Sequence, residues 1–99
     1  MKERRRARIR RSGLPEAWRR IVKRSVPYVR LLPPADRVEL EGKILVFLAE
    51  KRFEGTAGLA ISDQIRLTIA AQACILLLHR RTDYYPGLYS IVVYPRSYV

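Results

Sequence analysis

Residues 62–78 form the longest apolar stretch of the chain, and its pattern is helical. Ser62 suits a helix N-cap, and Asp63 suits the first turn, where the backbone dipole favours negative charge. Ile65 and Ile69 share one face, with Arg66 on another. From Ile69 to Leu78 only Gln72 is conventionally polar. A helix apolar on nearly every face must be covered on several sides. The pattern therefore predicts a buried central helix over about 62–78, with Ala70, Ala71 and Ala73 letting neighbours approach closely. Arg66 and Gln72 interrupt the apolar run, which is too short for a membrane span.

Two further helices are predicted before it. Pro15 suits the first helical position and Glu16 the first turn, and Trp18, Ile21 and Val22 recur on one face. Trp18 reads as a core anchor rather than a base-stacking platform. Pro27 ends this helix. Pro34 and Asp36 open the next, which runs to Ala49 or Glu50 with Leu40, Ile44, Phe47 and Leu48 as its apolar stripe. Gly42 lies inside it, at a cost of about 1 kcal/mol relative to Ala.

The helical period breaks after Lys51. Gly55 and Gly58 are turn signals, and the 52–61 stretch predicts a hairpin or two short, irregular strands. Pro86-Gly87 marks another turn. Leu88 to Tyr94 is the clearest strand, rich in β-branched and aromatic residues and stopped by Pro95. The fold class expected is α+β: three helices, the central one packed on a small, incomplete sheet with short strands in 52–61 and a main strand at 88–94.

Ninety-nine residues at 48% hydrophobic content allow one small domain or part of a larger one. The formal net charge of +11 is unevenly placed. Residues 1–30 carry twelve Lys/Arg against two acids, and residues 31–99 carry eight against seven. The basicity belongs to the N-terminal end, which argues against a nucleic-acid-binding face spread over the domain. Residues 1–13 contain few apolar side chains and predict a solvated, disordered basic tail, dispensable for folding. At most weak, nonspecific nucleic-acid binding through residues 1–12 is expected, falling steeply with salt. No apolar stretch of secretory type follows the arginines, so they do not read as a secretory signal.

Chemistry is sparse. Cys74 lies among aliphatic residues without a disulfide partner, as a buried structural thiol in a reducing compartment would. No Cys/His cluster has metal-ligand spacing, and Gly55-Thr-Ala-Gly58 lacks the Lys-Ser/Thr ending of a phosphate loop. Ser62 and His79 sit about 25 Å apart along one predicted helix, too far for a nucleophile–base pair. His79, the single histidine, is expected at a helix C-terminus, flanked by Arg80 and Arg81 and with Asp83 as the one nearby carboxylate. No catalytic, cofactor-binding or metal-ligating residue is assigned, and the chain by itself is expected to hold no zinc and cleave no peptide.

The order of short motifs says more. Leu14-Pro-Glu-Ala-Trp18, Glu50-Lys-Arg-Phe-Glu-Gly55 and Gly58-Leu-Ala-Ile-Ser-Asp63 are followed by Ile69-Ala-Ala-Gln-Ala-Cys74, Tyr84-Tyr-Pro86 and Ile91-Val-Val-Tyr-Pro95. The ordered set resembles the N-terminal part of the Mlc titration factor A family of glucose-regulated zinc metallopeptidases, from about Leu14 to Val99. The resemblance implies a cytoplasmic, bacterial, aminopeptidase-like hydrolase with a zincin-like domain, zinc as cofactor and peptides as substrates. For the founding member it also implies a glucose-responsive transcriptional repressor as partner. The family's zinc helix carries His-Glu-x-x-His, with a later glutamate, and no such motif occurs here. Residues 14–99 are accordingly expected to be the N-terminal helical and early-sheet part of the peptidase domain, truncated after Val99. The alternative is a small basic module that contacts nucleic acid or an acidic or repressor protein without catalysis.

Overall fold

The computed structural model describes residues 2–80 and 83–95. In chain order it contains α1 (Lys2–Arg11), α2 (Glu16–Ser25), a short 3-10 helix (Pro27–Leu31) and α3 (Pro34–Glu50), then β1 (Arg52–Gly55), α4 (Asp63–Ile75) and β2 (Ser90–Val93). It is a mixed α+β structure.

Three helices begin where local chemistry predicts. Pro15 stands one residue before the first helical position of α2, and Pro34 occupies that position in α3, with Glu16 and Asp36 placed for the helix dipole. The Ser62 hydroxyl accepts the Ile65 backbone N–H at 3.2 Å and caps α4. The α2 stripe buries Val22, and the 3-10 helix that follows buries Val29.

The core is the contact of α3 with α4. Leu40, Ile44 and Phe47 from α3 meet Leu67, Ala70, Ala71 and Cys74 from α4, each at most 1% exposed. Small side chains on α4 let the two backbones come close, and α2 closes the same core with Trp18, Ile21 and Val22. α4 is shorter than the predicted 62–78 span. Beyond Ile75, turn bonds from Leu77 N–H to Cys74 O and from Leu78 N–H to Ile75 O tighten the chain, at 2.9 and 3.3 Å. His79 then takes a left-handed φ of 65°. Leu76 is 65% exposed, so the C-terminal part of the predicted helix is not covered all round.

The sheet corrects two expectations. The 52–61 stretch does not form a hairpin: β1 pairs with β2 in parallel, with Phe53 opposite Ile91 and Glu54 opposite Val92. The crossover between them is α4, the usual route between parallel neighbours. After β1 the chain turns through Ala57 and Gly58, both at positive φ, and Leu59 N–H bonds Thr56 O at 2.9 Å. At Gly55 a Cβ would lie 2.1 Å from the Leu59 carbonyl oxygen, so only glycine fits there. β2 is also shorter than 88–94. Four-residue β1 offers no longer partner, and the Leu88 carbonyl is taken by the Lys51 ammonium at 2.7 Å. Phe53 and Ile91 pack on the helical core, where the Phe47 ring lies tilted at 6.3 Å from Phe53 and edge-on at 6.2 Å from Tyr85. The other face of the sheet is bare, with Val92 46% and Tyr94 63% exposed.

The largest correction is at the N-terminus. The segment expected as a disordered tail is helix α1, and it packs along α3. Arg6 is 7% exposed, and Ile9 joins a second cluster with Val46, Leu77 and Tyr84. The aliphatic stem of Arg10 crosses α3 at Gly42, where an added Cβ would stand 3.1 Å from Arg10 Cγ. The cost of Gly42 to α3 is thus tied to the seat it gives α1. Charge also favours α1: Glu3 lies in its first turn, and Arg8, Arg10 and Arg11 in its last.

The burial ranking is checked by denaturant melts. Phe47→Ala should cost about 3–5 kcal/mol, the range for a fully buried aromatic. Val38→Ala on the exposed side of the same helix should change stability by less than about 0.5 kcal/mol.

Candidate functional site

His79 has neighbours that its sequence position does not reveal. Its Nε2 lies 3.3 Å from Asp36 Oδ2 and its Nδ1 3.8 Å from Glu39 Oε1. Its backbone N–H donates to Glu39 Oε2 at 2.8 Å. The expectation that Asp83 is the one carboxylate near His79 is therefore overturned, because α3 brings Asp36 and Glu39 to the end of α4. One potential ligand atom from each of the three residues lies within 4.8 Å of the others.

The three groups are not drawn together to zinc-ligand spacing. Oxygen and nitrogen ligands at about 2.0–2.2 Å in a tetrahedron stand roughly 3.4 Å apart, closer than the widest spacing here. The trio works as a clamp: it ties the left-handed turn after α4 to the first turns of α3. Ser62 is occupied as the cap at the other end of α4. Cys74 is fully enclosed, and burial pushes its thiol up to about 12, far from a nucleophile's range.

A second constellation centres on Arg6. Its Nε and Nη2 donate to the two oxygens of Glu50 at 2.6 and 2.7 Å. The same Nη2 reaches Asp83 Oδ1 at 2.6 Å. The Arg6 guanidinium lies 4.8 Å from the centre of the Tyr84 ring, and the Lys43 ammonium lies 5.6 Å from it. Arg6 holds the carboxyl groups of Glu50 and Asp83 below their ordinary range, and burial raises the Tyr84 hydroxyl. Burial also pulls the Lys51 ammonium down. No local pattern in the sequence singles out Arg6 among its arginine neighbours, since its partners come from the end of α3 and from the turn before β2. Trp18 packs on the core as expected, with Arg66 5.7 Å from its ring.

The whole chain, residues 1–99, matches the family described as glucose-regulated metallo-peptidase M90. The chain belongs to that family. It is also 41% identical over 85 residues to the Synechocystis protein named "Uncharacterized protein slr2042". That alignment covers 86% of this chain and 31% of the relative, so the chain spans about a third of that relative's length. No solved structure matches it significantly. The metallopeptidase origin inferred from the ordered motifs thus stands. No described helix is long and apolar enough to cross a membrane.

The Arg6 pairing makes α1 part of the fold. Arg6→Ala leaves Glu50, whose side chain is 14% exposed, without its main partner. Breaking a buried pair costs about 3–5 kcal/mol, and the more open Asp83 places this one at the lower end. Deleting residues 1–12 should lower the thermal midpoint by more than a few degrees. Because Glu50 is held below its ordinary value of 4.5, its stabilisation is present above that pH. It is lost as pH falls through the lowered folded-state value. Acid titrations of stability should show a shallower fall below pH 4.5 for Glu50→Gln than for the parent.

Proposed function

We propose that this chain is the N-terminal scaffold of a cytoplasmic, zinc-dependent, aminopeptidase-like enzyme of the Mlc titration factor A type. The match to the metallopeptidase family over residues 1–99 carries this reading. Its 31% coverage of a homologous protein adds support, because such relatives have room for a catalytic segment beyond the matched part. The half-covered sheet fits the same reading. Parallel strands are normally buried on both faces, whereas the Val92 and Tyr94 side of β1–β2 is bare.

In the proposed enzyme, a His-Glu-x-x-His helix and a later glutamate outside these residues would hold zinc, which would supply Lewis-acid chemistry and an activated water. The described residues act on that chemistry through position. The α3–α4 core and the β1–β2 pair give a rigid platform against which a catalytic helix can pack. Peptides are the proposed substrate class. The free basic arm needed by the nucleic-acid alternative has less support, because Arg6 and Ile9 are packed into the domain.

A chimera provides the test. The 99-residue chain is substituted for the matched 85 residues of the Synechocystis protein, and zinc content and hydrolysis of aminoacyl p-nitroanilides are measured. The chimera should hold about one zinc per chain and release p-nitroaniline, as three protein ligands and a water imply, while the 99-residue chain alone does neither. A chain that binds zinc and hydrolyses the substrate unaided, or a folded chimera that retains neither property where the parent relative has both, sinks the reading.

A further inference from the structure

The side of α1 that meets α3 opens into a cleft of about 570 Å³, walled by the ring of Tyr84. Arg6 lies at its base, already engaged by Glu50 and Asp83. Three other cations face the same space: Arg10, Lys43 and Arg80. Their pairing is incomplete. The Lys43 side chain is only 12% exposed, yet its carboxylate partner Glu39 stands 3.8 Å from Nζ. Arg10 is held by Glu3 at 3.0 Å, but Glu3 is a rim side chain, 76% exposed. Arg80 is exposed and makes no ion pair among the described residues.

The Lys43 ammonium, beside the Tyr84 ring and with its carboxylate partner 3.8 Å away, has room for a closer anion. Two guanidinium groups beside it add planar donor forks, which match phosphoryl oxygens. The Tyr84 ring supplies an apolar wall beside these donors. Glu3 and Asp83 also face this space, and Asp83 is bonded by Arg6 and approached by Lys2 at 3.5 Å. The remaining unmatched charge is positive.

We propose that the cleft between α1, α3 and the Asp83–Tyr84 turn binds a compact, multiply charged phosphoryl anion, with Lys43, Arg10 and Arg80 as its ligands. The site is independent of peptide hydrolysis and of zinc. It gives the arginine-rich helix a role beyond attachment: α1 closes one wall of the cleft and carries one of the three cations.

Calorimetric titration of the 99-residue chain with inorganic pyrophosphate at about 0.15 M ionic strength tests the site, with citrate and a short single-stranded oligonucleotide as parallel probes. Pyrophosphate should bind saturably and more tightly than citrate. Lys43→Gln and Arg80→Gln should each weaken it at least about tenfold, the loss of one charge-assisted ligand. Arg20→Gln removes the same charge from the exposed side of α2 and should change affinity less than about twofold, since separated exposed charges are largely screened. Arg80 is a surface residue, so its variant remains informative if Lys43→Gln does not fold. Absence of saturable binding, equal weakening by Arg20→Gln, or citrate binding as tightly as pyrophosphate would each overturn the proposal. So would oligonucleotide binding that persists in Arg80→Gln while pyrophosphate does not bind the parent chain, which assigns the basicity to a diffuse surface.

Discussion

The approach of α4 to α3 is the contact on which every other element depends. It works because the two helices contribute unequal side chains. α3 supplies Leu40, Ile44 and Phe47, and α4 answers with Leu67, Ala70, Ala71 and Cys74. Bulk against small residues permits a close crossing without voids. The rest of the molecule is fastened to this pair. The Phe47 ring reaches beyond it to Phe53 on β1 and to Tyr85 before β2, so one side chain couples the helical core to both strands. The Tyr85 hydroxyl returns to the Ala73 carbonyl of α4 at 2.8 Å and closes the loop.

A second layer is electrostatic. Arg6 reaches across from α1 to the last residue of α3 and to the turn that leads into β2. A helix of this composition is marginal in isolation, and tertiary pairing supplies what propensity does not. The strong basicity of the N-terminal end is therefore partly structural charge: Arg6 is neutralised by Glu50 and Asp83, and Arg10 by the exposed Glu3 alone.

Which elements could be read from the sequence follows from how far apart their determinants lie. Pro15, Pro34 and Ser62 set helix starts through groups a few residues away, so the onsets of α2, α3 and α4 were legible. The apolar stripes of α2 and α3 were legible for the same reason. α1 was not, because its anchor, Glu50, is 44 positions from Arg6. The parallel pairing of β1 with β2 was hidden likewise: two glycines near Phe53 suggest a local hairpin, while the actual partner follows a helix. At His79, inspection of flanking residues found Asp83, but the groups that meet it are Asp36 and Glu39, the latter 40 positions back. The family was legible because it depends on the order of several short motifs rather than on any contact.

Cys74 gives this architecture an internal probe. The thiol sits at the α3–α4 seam with no exposed surface, and burial pushes it up to about 12. A thiol reagent in solution cannot reach it while the seam is closed. Modification must wait for the seam to part, so its rate counts excursions in which α4 leaves α3. If α4 swings out as a unit, labelling outpaces global unfolding. If the seam opens only with the whole chain, the two rates converge. The single cysteine thus turns the cooperativity of the fold into a kinetic signal without any added label.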